Sequence, residues 1–211
     1  MALRACLLAF LLALSGIDAR ALEAPASYRY RILHPIFGQI GEHRMTVYRE
    51  HGAVVVDHTA ELAVEVLGLT AHHRTTRFRE VWQGDRLVAY DGLVEDNGEP
   101  FAVRARATGD RLVVEGTGGR TDAPAATAPS VPSLDFAIER AWFFDSRTGE
   151  LLRASVTRAG REPLKVGERV VEATKYEIAG DLEQHVWFED SGAWVQWRLW
   201  RQGAAITLAR E

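Results

Sequence analysis

Cysteine is almost missing from this chain of 211 residues: the single copy, Cys6, lies in an N-terminal stretch laid out like a cleavable leader. Without thiols after that stretch there is no disulfide framework, no cysteine-ligated metal and no cysteine nucleophile. Cys6 also stands inside the apolar run rather than at its end, where a lipid-attachment cysteine would sit. A domain of about 190 residues does without such staples, because at that size folding buries roughly 70% of the unfolded surface. The apolar run, residues 7–14, is too short to anchor a protein across a bilayer. An excess of one charge is also lacking. Without residues 1–21, 23 basic side chains face 28 acidic ones, a net −5. So mild a balance excludes a general affinity for nucleic acid or anionic membranes.

Catalytic signatures are lacking too. There is no Gly-x-Ser-x-Gly elbow and no His-Glu-x-x-His pair. Gly116-Thr117-Gly118-Gly119 has neither the lysine nor the following hydroxyl residue of a phosphate loop. Histidine ligands on one strand need even spacing, and His72 and His73 are adjacent, so they point to opposite faces. His43, His51 and His58 fall in different segments. The sequence therefore reads as a non-enzyme, with no cofactor and no metal.

What the chain does have begins with its destination. Arg4, the apolar run and Ala19-Arg20-Ala21 form a secretory signal peptide. Cleavage is expected near Ala21, leaving residues 22–211 as one domain in the periplasm or outside the cell. Residues 54–66 then alternate. Val54, Val56, Ala60, Leu62, Val64 and Val66 share one parity, and Asp57, Thr59, Glu61 and Glu65 share the other. A period of two means an extended strand with one buried and one wet face. At about 3.3 Å per residue it spans about 40 Å, far beyond the usual strand. Burying its five large apolar residues is worth on the order of 7–15 kcal/mol at about 1.5–3 kcal/mol each. Strands of this length build curved sheets, cups and barrels.

Turn signals follow at short intervals. Gly84-Asp85 and Gly109-Asp110 each lead into Arg-Leu-Val, one turn-into-strand solution used twice, and Asn97-Gly98 is a type I′ hairpin signal. Strands are expected at 28–34, 41–50, 54–67, 70–82, 86–94, 101–108, 111–116, 151–157, 169–179, 182–189, 193–201 and 204–209. Short links make them antiparallel neighbours. The fold class is mainly β: a single curved antiparallel meander sheet of ten to twelve strands, a half-barrel or incomplete barrel, with one short helix. That helix is placed at 133–142, with Ser133 as N-cap and Leu134, Ile138 and Trp142 on one face. Residues 117–132, with three prolines and no apolar periodicity, read as a loop, either a surface excursion or a functional lid.

Several residues could carry a function. His58 sits on the apolar face of the long strand, either as a core histidine or as a polar contact in a ligand cavity. Arg74, Arg77 and Arg79 read as charges on a solvated edge strand, or as a grip on an anion. Of four tryptophans within 187–200, Trp197 reads as core, and Trp194 and Trp200 lie on the other face. Phe37-Gly38-Gln39-Ile40-Gly41-Glu42, Trp82 with its Gly-Asp turn, and Asp145-Ser146-Arg147-Thr148-Gly149 before Leu151 form an ordered set. Lys175-Tyr176-Glu177-Ile178-Ala179-Gly180 and Val186-Trp187-Phe188-Glu189 complete it. This set resembles an exported bacterial domain-of-unknown-function family, numbered 6134. The resemblance implies export and a curved antiparallel sheet, loosely similar to the half-barrel of periplasmic lipoprotein carriers, and brings no catalytic residues.

The expectation is a binding or carrier module for a lipid-like or other apolar ligand. Val54, Val56, His58, Leu62, Val64, Val66 and Trp82 are its candidate lining residues. The alternative is an interaction or assembly factor that docks a protein partner through a sheet edge or the 117–132 loop. In neither case is the chain an integral membrane protein.

Overall fold

A computed structural model of the chain describes residues 25–201 and 203–211, so the leader and its cleavage near Ala21 lie outside the described residues. Eight strands come first: β1 (Ala26–His34), β2 (Gly38–Glu50), β3 (Ala53–Val66), β4 (Leu69–Gln83), β5 (Arg86–Asp96), β6 (Glu99–Thr108), β7 (Arg111–Gly116) and β8 (Gly119–Pro124). Seven more follow: β9 (Ala128–Pro129), β10 (Trp142–Phe144), β11 (Leu151–Val166), β12 (Arg169–Gly180), β13 (Gln184–Phe188), β14 (Trp194–Arg201) and β15 (Ala204–Arg210). All fifteen join one sheet in the order β8 to β1, then β15 down to β9. Every pairing is antiparallel except β9–β10. Two meanders thus meet at a seam where β1 pairs with β15. The sheet curls on itself without closing, and its free edges are β8 and β9.

The alternating pattern explains the long strands. In β3 the even positions face inward, and their burial fades along the strand. Val56 and His58 are fully buried, Ala60, Leu62 and Val64 are half-buried, and Val66 is exposed. One end of the interior is therefore packed, while the other opens. Tight turns hold the register. His51-Gly52, Leu67-Gly68 and Asn97-Gly98 each have two positive φ angles, the type I′ requirement. Gly84 and Gly109 alone are positive in their turns (φ 60 and 57), so the repeated Gly-Asp solution is the type II′ turn both times.

Five expectations need correction. The helix at 133–142 is a single 3-10 turn, Asp135–Ala137, whose N-cap is Leu134 without a side-chain cap. The Ser133 hydroxyl is taken by Glu80, and Trp142 already belongs to β10. The 117–132 stretch is not a surface loop: it forms β8 and β9 and then threads the interior, with Thr127, Ala128, Pro129, Ser130, Pro132 and Ser133 all buried. Third, β4 is no edge strand, since it lies between β3 and β5. Finally, Trp194 faces inward beside Trp197, because a bulge opposite Trp187 and Phe188 inserts Val195 and reverses the parity. Strand β11 also runs nine residues past its expected end, through Pro163. Beyond β10 it pairs on one side only, so a proline without N–H is tolerated there.

Candidate functional site

The packed end is organised by aromatic rings and a buried polar cluster. Tyr30 stacks on Trp194, with ring centroids 3.6 Å apart, and its hydroxyl donates to the Trp194 carbonyl at 3.0 Å. Beside them, β2, β3 and β4 bring His43, His58, Glu80 and Trp82 inward, and the threaded segment adds Ser133. The Ser133 hydroxyl donates to Glu80 Oε2 at 2.6 Å, and Trp82 Nε1 donates to the same oxygen at 2.8 Å. His58 Nε2 lies 3.3 Å from Ser133 Oγ and 3.5 Å from Glu80 Oε1. Since the only hydroxyl proton goes to Glu80, Ser133 Oγ accepts from His58 Nε2. In a neutral ring His58 Nδ1 then accepts from His43 Nε2, 3.1 Å away. Burial first, and then the neighbouring His58, hold the His43 imidazole well below its ordinary value.

Serine, histidine and an acid thus come together, but not as a nucleophilic triad. In a triad the hydroxyl donates to the imidazole and the acid orients the other ring nitrogen. Here the hydroxyl donates to the acid, and the other nitrogen faces a second histidine. The cluster acts as a clasp that ties the threaded segment to three strands.

At the opposite end lies a cavity of about 780 Å³. Its walls come from both meanders: Ile32, Ile40, Leu62, Val64 and Phe78 on one side, Trp197, Leu199, Ile206 and Leu208 on the other. Val131 and the 145–150 loop close it. That loop is an Asx turn, in which Asp145 Oδ1 accepts from the backbone N–H of Arg147 and Thr148 at 2.8 and 2.9 Å. Its Thr148 carbonyl accepts from Gly118 N at 2.8 Å, which bridges the gap between the sheet's two edges. The mouth lies at the hairpin tips between β1 and β2 and between β3 and β4. These tips carry exposed apolar residues, Ile36, Phe37, Leu67 and Leu69.

The candidate lining residues divide. Leu62 and Val64 line the cavity. Val56, His58 and Trp82 are in the packed core, with Val54 against it, and Val66 is exposed near the mouth. The histidine that reaches the cavity is His43, with His34 and His72 nearer the rim. Of the three β4 arginines, Arg74 lines the cavity, whereas Arg79 lies half-exposed against Glu50 and Asp57. Arg77 shares its parity and its exposed face. Sequence reasoning missed Val131, Ser146, Arg147 and Thr148 as lining residues; the Asp145-Ser146-Arg147-Thr148-Gly149 string reads only as part of the family resemblance. Among the described residues no helix is long and apolar enough to cross a membrane, and no group of three or more histidine or acidic side chains is arranged to hold a metal ion.

The comparison with curated proteins gives no match. Among solved structures the fold is similar to a crystal structure of a beta-barrel-like protein of domain of unknown function DUF1849 from Brucella abortus. The TM-score is 0.64 at 9% identity, covering 89% of this chain and 95% of the other. At that identity the likeness shows a shared fold. Residues 38–211 match the family described as Domain of unknown function (DUF6134), and the chain belongs to that family.

Proposed function

We propose that this is an exported binding or carrier protein, periplasmic or secreted, that holds a lipid-like or other apolar molecule in the cavity between its two meanders. The observation that carries the reading is the cavity itself. Its volume of about 780 Å³ falls within the range of roughly 300–1,000 Å³ typical of small-molecule sites. Its walls are mostly aliphatic and aromatic. Leu62, Leu199 and Ile206 are only partly covered by protein atoms there, and an apolar guest would remove the rest of their surface from water. The leader read from the sequence supports action beyond the cytoplasmic membrane. Docking of a partner through the 117–132 stretch has less to stand on, since most of residues 127–132 lies inside the sheet.

Two measurements test the reading. Protein purified from its native compartment and sprayed intact into a mass spectrometer should retain a co-purifying apolar molecule. The neutral fluorophore N-phenyl-1-naphthylamine should bind the emptied protein, and Leu62→Arg or Ile206→Arg should weaken that binding about tenfold or more, since a charge is driven into an apolar wall. A wild-type protein that retains nothing and leaves the fluorophore in water would end the proposal.

A further inference from the structure

Polar side chains interrupt the cavity's aliphatic and aromatic walls, and charge concentrates at one side of its rim. There Arg74 from β4 and Arg147 from the 145–150 loop converge on a single acid, Asp96 of β5. Arg74 Nη2 donates to Asp96 Oδ2 at 2.5 Å, and Arg147 Nε lies 3.6 Å from the same oxygen, beyond hydrogen-bond reach. His72 Nε2 stands 3.5 Å from the other oxygen. Two guanidinium groups and an imidazole therefore share one carboxylate. In the cavity lining itself three arginines, Arg74, Arg147 and Arg201, stand with two acids, Asp145 and Glu150. Of these, Glu150 and Arg201 are exposed and of opposite sign. Arg74 Nε, Arg147 Nε and Asp96 Oδ1 are buried there without a hydrogen-bond partner, so the cluster's polar groups are poorly matched to one another. Buried unsatisfied polar groups are rare and call for an explanation. The Arg147 guanidinium carbon lies over the Phe101 ring, 3.7 Å from its centroid, a cation–π contact that holds the side chain in place. Thr148 and Ser146 add hydroxyl groups to the same part of the lining.

We infer that the cavity's ligand is an amphiphile with an anionic head group, seated at Arg74 and Arg147 with its apolar chain along Leu62, Val64 and Ile206. This rests on the binding function proposed above and adds the chemical class of the guest. A carboxylate or a phosphate supplies acceptors for the Nη groups of these two part-exposed side chains, and guanidinium forks suit either. An alcohol or an ammonium head of equal chain length does not.

The test uses twelve-carbon ligands that displace N-phenyl-1-naphthylamine from the full chain: laurate, dodecyl phosphate, dodecanol and dodecyltrimethylammonium. Laurate or dodecyl phosphate should bind about tenfold or more tightly than dodecanol, the worth of one charge-assisted hydrogen bond, and the ammonium weakest. Whichever anion binds tighter distinguishes a carboxylate from a phosphate source. Arg74→Gln and Arg147→Gln should each narrow the ratio of anion to alcohol while the neutral fluorophore still binds. Should a variant fail to fold, raising the salt on the wild type must weaken laurate and leave dodecanol unchanged. Equal affinity for laurate and dodecanol, or an anion preference that survives both substitutions or high salt, overturns the inference but leaves the carrier reading intact. If no ligand and no fluorophore binds, both fall together.

Discussion

His43 occupies a position where a charge is hard to carry: it is buried, and its neighbour along the hydrogen-bond chain is another histidine. Its folded-state proton affinity is depressed for those two reasons, burial being the larger. The unfolded chain takes up that proton near pH 6.5, its ordinary value, while the native ring stays neutral. Below that point the unfolded state binds more protons, so stability is complete above about pH 6.5 and falls as the pH drops through it. His185, lowered mainly by burial and also by Lys175, contributes in the same direction. Urea unfolding at pH 7.5, 6.5 and 5.5 should show this loss on acidification. In His43→Gln, whose amide still donates to His58, the slope should be shallower. Exposure matters at this scale too. Leu67 is 98% exposed and holds a left-handed φ of 53°, a conformation that leucine tolerates poorly.

Elements whose pattern is local were readable from the chain. The alternation of β3 set its inward face, on which Leu62 and Val64 lie, and the twin Gly-Asp turns located the β4–β5 and β6–β7 hairpins. The segment from β8 to β10 was not readable, because its burial comes from where it is threaded. Alanine, proline and serine carry no period of two, and Thr127 to Ser133 are inside only because a curved sheet surrounds them. The same holds for Trp194, whose facing depends on one bulged residue, and for Arg147, whose site is assembled by a loop docking across the sheet's gap. That docking depends on Gly116, where a Cβ would collide with the Thr148 carbonyl oxygen. Gly116→Val should therefore loosen the 145–150 loop by about 1–2 kcal/mol, so trypsin should cut after Arg147 roughly 5–30-fold faster. The far-ultraviolet circular dichroism should remain that of a β protein, since the sheet pairings are untouched.

For the whole molecule, the seam between β1 and β15 governs how the chain must assemble. Nearly every other pairing joins neighbours in the sequence, yet the two meanders become one body only when Tyr30 meets Arg210 across almost the full described length. Such distant closure is entropically costly and slows folding. The two outer edges, in contrast, are separated by only three residues between Pro124 and Ala128. A circular permutant opened between Ala125 and Ala126, with Glu211 linked to Pro25 by a short flexible bridge, keeps every strand pair and makes the old seam a hairpin. Its refolding in stopped flow should be about tenfold faster or more, with little change in equilibrium stability. In such a rewired chain the sheet would zip from one margin to the other without waiting for its last strand, and slow refolding in the natural order would be traced to the thread of the chain rather than to its side chains.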